Sequence, residues 1–73
     1  MNYQVLIKRS AEKEFAALAA RTRDRIGERL LHLQTTPRPP GAKKLQGQQA
    51  YRLRVGDYRV LYTVDDQARQ VMV

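Results

Sequence analysis

The stretch Tyr51-Arg52-Leu53-Arg54-Val55-Gly56-Asp57-Tyr58-Arg59-Val60-Leu61-Tyr62 decides how the chain folds. Residues 51–55 alternate in polarity and residues 58–64 alternate again. Between them Gly56-Asp57 is a two-residue turn signal with glycine first, as a type II′ turn prefers. The segment is predicted to be a β-hairpin. With Gly56 and Asp57 in the turn, Val55 faces Tyr58, Arg54 faces Arg59, Leu53 faces Val60, Arg52 faces Leu61 and Tyr51 faces Tyr62. Opposed residues share a face and strand side chains alternate. Tyr51, Leu53, Val55, Tyr58, Val60, Tyr62 and Val64 therefore fall together, with Arg52, Arg54, Arg59, Leu61 and Thr63 on the other side. The first face is the expected core. On the second, Arg54 lies directly opposite Arg59 and Arg52 is two residues along, an arrangement that costs folding free energy without supplying packing.

Working outward, Asp65-Asp66-Gln67 marks a further turn and residues 68–73 begin another strand. Upstream, Pro37, Pro39, Pro40 and Gly41 stop any helix and open one long loop, which runs through Lys43, Lys44 and Gly47 to about Ala50. Before it, Ile26, Leu30 and Leu33 form an apolar helical stripe that Thr22 is placed to cap, with Asp24 in the first turn. A shorter amphipathic helix over about 10–20, capped by Ser10, carries Phe15, Leu18 and Ala19 on its apolar side. Residues 3–8, centred on Val5, Leu6 and Ile7, read as an opening strand. No internal repeat or low-complexity tract interrupts this order. The expected architecture is α+β: an antiparallel meander with an N-terminal strand and an α-helical hairpin packed on one face, the other face left open.

Seventy-three residues allow a single domain, 1–73, and no separate cofactor domain. A content of 42% hydrophobic residues is too apolar for a chain disordered by charge. Fourteen Lys and Arg against seven Asp and Glu leave +7, a surface that concentrates polyanions, so nucleic acid or an acidic protein is the expected partner. The absence of Cys excludes disulfides, thiolate nucleophiles and Cys-based zinc sites. His32, the only histidine, has no partner at metal-ligand spacing, so neither a metal site nor a cofactor is expected. No stretch is apolar for long enough to span a bilayer, and the N-terminus lacks the pattern of a secretion signal; a cytoplasmic protein is expected.

Three arginines on an exposed strand face can be no more than solvated charge, and charged strands also discourage edge-to-edge aggregation. Here they converge with no carboxylate alternating among them, and guanidinium matches phosphate geometry better than any other side chain, which favours an anion site. The tyrosines point the other way: Tyr51, Tyr58 and Tyr62 fall on the core face, with hydroxyls reaching its rim, and do not suit base stacking. Lys43 and Lys44, in the Pro/Gly loop, suit either solvent or an RNA backbone. Arg21, Arg23, Arg25 and Arg29 crowd the second helix, partly offset by Asp24 and Glu28, and read as a solvated surface or a contact for an acidic segment.

On three motifs the chain resembles the RelE/ParE superfamily of bacterial toxins, over nearly its whole length. These are Lys8-Arg9-Ser10-Ala11 after the first strand, Lys44-Leu45-Gln46-Gly47 before the hairpin, and above all the Tyr51–Tyr62 string. The resemblance implies the sheet and helical hairpin derived above. For the RelE branch it implies a toxin that cleaves messenger RNA in the ribosomal decoding site, with basic residues at the positions of Arg52, Arg54 and Arg59. The implied chemistry is attack of a ribose 2′-hydroxyl on the adjacent phosphate, Arg59 stabilising the phosphate and Arg52 and Arg54 binding and neutralising it. Lys43 and Lys44 would be RNA contacts. In the family the strand begun at residues 69–73 continues into a segment bearing a further arginine and a tyrosine that aid catalysis. The chain is accordingly expected to lack the C-terminal end of its last strand. Two other functions stay open: a ParE-like inhibitor of DNA gyrase without nuclease activity, and a shortened, inactive toxin that still captures antitoxin. In every case the implied protein partner is a cognate antitoxin, presenting an acidic or amphipathic segment to the basic surface.

Overall fold

The computed structural model describes residues 2–45 and 49–73. Gln46 and Gly47, part of one sequence motif and of the expected loop, lie outside the described residues. In chain order the elements are β1 (Gln4–Leu6), α1 (Arg9–Ala16), α2 (Ala20–His32), β2 (Lys43–Lys44), β3 (Ala50–Val55), β4 (Tyr58–Asp65) and β5 (Gln70–Met72). The strands form one sheet in the order β1-β5-β4-β3-β2. Strands β2 to β5 are an antiparallel meander, and β1 joins parallel to β5, Val5 standing opposite Val71. The helices carry the chain from the β1 edge to the β2 edge, and the meander returns it to lie beside β1.

The hairpin has the register its turn dictates, from Val55 opposite Tyr58 to Tyr51 opposite Tyr62. Gly56 takes φ 60° and Asp57 keeps a negative φ, the type II′ combination that only the first position needs glycine to adopt. The core follows from that register. Leu53, Val55, Val60, Tyr62 and Val64 are buried with Ile26, Leu30 and Leu33 of the second helical segment, and Val71 closes the layer from β5. Phe15 and Leu18 add half-buried contacts from the first helical segment, whereas Ala19 is exposed and precedes α2. The Asp65 carboxylate accepts the amides of Gln67 and Ala68 at 3.0 Å each and forms the β4–β5 turn expected there.

Several local expectations are corrected. Neither Ser10 nor Thr22 caps a helix: the N-caps are Lys8 and Ala19, both extended and without a side-chain cap. The second helix starts early enough that Asp24 falls outside its first turn. Ala20 and Arg21 are good helix formers, so extending the helix through them outweighs a hydroxyl cap of about 1 kcal/mol at Thr22. The long Pro/Gly loop is also interrupted, because Lys43 and Lys44 form a short edge strand opposite Arg52 and Tyr51. Tyr58 is 43% exposed, less covered than the other residues of its face.

Leu33, fully buried where α2 ends, tests the placement of the core. Leu33→Ala is expected to lower the unfolding free energy by about 2–5 kcal/mol in denaturant titration. Leu31→Ala, at a position 63% exposed, is expected to stay within about 0.5 kcal/mol. Equal losses at the two positions would refute the assignment of the buried helix face.

Candidate nucleic-acid interface

Pairing across three strands assembles the basic site. Arg54 and Arg59 are cross-strand partners, Arg52 lies opposite Leu61, and Lys43 lies opposite Arg52. Opposed residues share a face, so Lys43 joins the arginines on the side of the sheet away from the helices. These four side chains and Gly41 line a shallow pocket of about 160 Å³. Gly41, at φ 96°, turns the chain after Pro39 and Pro40 and brings it back alongside the sheet. Lys44 lies opposite Tyr51 and so belongs to the other face; it does not line the pocket. The structure thus brings together Arg52, Arg54, Arg59 and Lys43 of the residues singled out in the sequence.

The pocket is electrostatically unbalanced. Arg54 donates from Nε to the Gly56 carbonyl at 3.2 Å, which holds its guanidinium over the turn, but no carboxylate pairs with any of the four cations among the described residues. Asp65 shares their face by alternation, yet it sits at the far end of β4 and its carboxylate serves the turn. Such an array offers several donors to the oxygens of an anion such as a phosphodiester and neutralises none of its own charge internally.

Asp66 finds its cationic partner elsewhere. Arg38 reaches from the Pro loop to Asp66 with two bonds, of 2.8 and 3.1 Å, and donates from Nε to the Tyr51 hydroxyl at 2.7 Å. Tyr3 donates to the same aspartate at 2.6 Å, and Tyr62 donates to the Pro37 carbonyl at 2.9 Å. The Tyr51 and Tyr62 rings stack at 5.7 Å, with the Arg38 guanidinium 5.3 Å from the Tyr51 ring centre. This network ties the loop after α2 to the opening residues and to the β4–β5 turn. Sequence inspection missed Arg38 and Asp66, since nothing local distinguishes an arginine between two prolines from a solvated one. The expected rim hydroxyls of Tyr51 and Tyr62 were the available signal. The bonds from Arg38, then from Tyr3, hold the Asp66 carboxyl below the ordinary aspartate range, and the bond to Asp66 raises the Tyr3 phenol. Burial, before any charge effect, raises Tyr62.

Fold and site together define a small basic α+β protein whose open sheet face gathers Lys43, Arg52, Arg54 and Arg59 around one pocket. The chain belongs to a family described as the ParE toxin of type II toxin-antitoxin systems, parDE, whose family model matches residues 5–73. Solved structures of RelE toxins share the fold. An arginine-substituted RelE toxin of E. coli in the free state is 28% identical at a TM-score of 0.85, over 100% of this chain and 79% of that one. The archaeal RelE–RelB complex of Pyrococcus horikoshii gives 28% identity and a TM-score of 0.86, over 99% of this chain and 89% of that one. The RelBE2 toxin–antitoxin complex of Mycobacterium tuberculosis gives 25% and 0.85, over 99% and 91%. No curated protein matches. The chain is therefore a type II toxin of the RelE/ParE superfamily with a RelE-like fold. No helix among the described residues is long and apolar enough to cross a membrane.

The Asp66 network has a pH signature. A carboxyl whose folded-state pKa is depressed contributes stability that is present above its unfolded-state pKa of about 3.9 and is lost as pH falls through the lower folded value. Asp66→Asn should therefore lower Tm near neutral pH, with the gap to wild type closing below about pH 3.9. A gap independent of pH would show that the carboxylate charge plays no part.

Proposed function

We propose that the chain is a ribosome-dependent endoribonuclease that inhibits translation by cutting messenger RNA in the decoding site, with residues 1–73 acting as one toxin domain in the cytoplasm. The observation that carries this reading is the convergence of Arg52, Arg54, Arg59 and Lys43 in one pocket on the face the helices leave bare. In the reaction a ribose O2′ forms a bond to the adjacent phosphorus while the P–O5′ bond breaks. The 2′-hydroxyl loses its proton, O5′ gains one, and the products are a 2′,3′-cyclic phosphate and a 5′-hydroxyl. Negative charge grows on the phosphoryl and leaving oxygens along the way, and preorganised cations lower the barrier by being aimed there beforehand. Arg59 takes the phosphoryl oxygens. Arg52 and Arg54 neutralise the backbone around it, and Lys43 binds a flanking phosphate. Arginine stays protonated, so this chain's share of the catalysis is charge stabilisation and positioning rather than proton abstraction.

The protein partner in this reading is a cognate antitoxin that presents an acidic or amphipathic segment. Its support is that RelE structures similar to this chain are complexes with RelB, and that +7 on so small a surface favours an acidic ligand. A second reading, gyrase inhibition without RNA cleavage, is favoured by the ParE description of the matching family. The carboxylate-free pocket favours the nuclease, because gyrase inhibition calls for no phosphate-stabilising array.

Primer extension on translated message should reveal cuts within the coding region. Arg59→Ala should reduce their rate about 10²–10³-fold. Arg54→Ala should weaken RNA binding and flatten its dependence on log salt by about one phosphate. An unchanged cutting pattern in Arg59→Ala would remove that residue from the mechanism, while inhibition of DNA supercoiling with no cleavage on ribosomes would select the gyrase reading.

A further inference from the structure

Residues 33–42 carry the chain from α2 to β2, and that path ends at the basic pocket, whose wall includes Gly41 and Lys43 but not Arg38. Strand β2 has little of its own to hold it there. Its two residues pair with Arg52 and Tyr51, and just beyond them the Leu45 amide bonds the Ala50 carbonyl at 2.8 Å. By antiparallel alternation that bond makes Lys43 and Arg52 the next hydrogen-bonded pair. So short an edge strand is marginal by itself, and its position depends on what holds the chain upstream. Two anchors do so. The Tyr62 hydroxyl donates to the Pro37 carbonyl at 2.9 Å, and the Arg38 guanidinium engages both Asp66 oxygens and, from Nε, the Tyr51 hydroxyl. An exposed ion pair ordinarily contributes little, but a guanidinium that spans a bidentate carboxylate, a phenol oxygen and a ring face has one geometry. Tyr51 is also the cross-strand partner of Lys44, so anchor and strand share a residue.

From Arg38 to Lys43 the chain is stiff. Pro39 and Pro40 have fixed φ. The Ala42 amide bonds the Pro39 carbonyl at 3.0 Å and closes a turn with Pro40 second and Gly41, at φ 96°, third, the arrangement of a type II turn. Ala42 packs against the core, so Lys43, of opposite parity, emerges on the open face. A displacement at Arg38 is therefore passed on to Lys43 rather than absorbed between them.

We infer that Arg38 is a positioning residue of the anion site: held by Asp66 and Tyr51, it fixes the Gly41 turn and so sets the Lys43 ammonium against a phosphate of bound RNA, without touching the RNA itself. The inference rests on the reading of the pocket as a phosphate site and adds to it a residue on the opposite side of the sheet edge. The competing account is bulk charge, in which Arg38 is one more cation on a basic surface. The two accounts differ in sign at Asp66. Asp66→Asn raises the net charge by one, which tightens RNA binding if bulk charge rules and weakens it if Arg38 must be held in place.

Binding of a single-stranded RNA of about ten nucleotides to the full chain tests this. Arg38→Met and Asp66→Asn should each raise Kd roughly three- to tenfold, about as much as Lys43→Met. Adding Arg38→Met to Lys43→Met should cost less than about twofold more, because Arg38 acts through Lys43. Amide hydrogen exchange reads the position directly. Arg38→Met should speed the Lys43 amide at least about tenfold, while the Val60 and Tyr62 amides, which face β3, stay slow and show the fold intact. Tyr51→Phe, which keeps the ring and removes one acceptor, should move both readouts the same way by less, and it decides the matter if Arg38→Met loosens the core. On ribosomes Arg38→Met should raise KM and leave kcat within about twofold. Tighter RNA binding by Asp66→Asn, additive losses in the double variant, an unchanged Lys43 amide, or a fall in kcat at constant KM would each overturn the inference. If Arg54→Ala leaves RNA affinity unchanged, the phosphate site falls and the inference with it; if Arg54→Ala weakens binding and Asp66→Asn does not, the inference alone falls.

Discussion

A turn of two residues leaves no slack in the pairing on either side of it. With Gly56 and Asp57 committed, every residue of β3 has one partner on β4, and a slip by one position would exchange the two faces completely. That exchange would bury Arg52, Arg54 and Arg59 under the helices and expose Leu53, Val60 and Tyr62. Burying even one unpaired guanidinium would cost more than the apolar residues on that face could return, so the register is strongly selected. Helix packing then follows, since Ile26, Leu30 and Leu33 have one apolar sheet face on which to lie.

The division of charge follows from the same constraint. Exposed like charges across a strand pair disfavour folding by an amount comparable to what an exposed ion pair contributes, roughly 0–1 kcal/mol. Full burial of a single Leu or Val side chain contributes about 1.5–3 kcal/mol, so the core tolerates the array without a compensating carboxylate. Asp66 pins Arg38 and Tyr3, fixing the loop that leads into β2 and therefore the position of Lys43.

Legibility from sequence tracked how local the determining physics is. The hairpin, its faces and the cluster of Arg52, Arg54 and Arg59 were readable because alternation and a glycine-first turn act over neighbouring residues. The Ile26, Leu30 and Leu33 stripe was readable for the same reason. Helix starts were not: Ser10 and Thr22 carry the right side chains, but helix propagation through Ala20 and Arg21 overrides a cap. Strand β2 was hidden because two lysines have little strand propensity of their own, and pairing with Arg52 and Tyr51 creates the strand. The parallel seating of β1 against β5, and the contacts among Arg38, Asp66 and Tyr3, depend on distant segments meeting and leave no periodic trace.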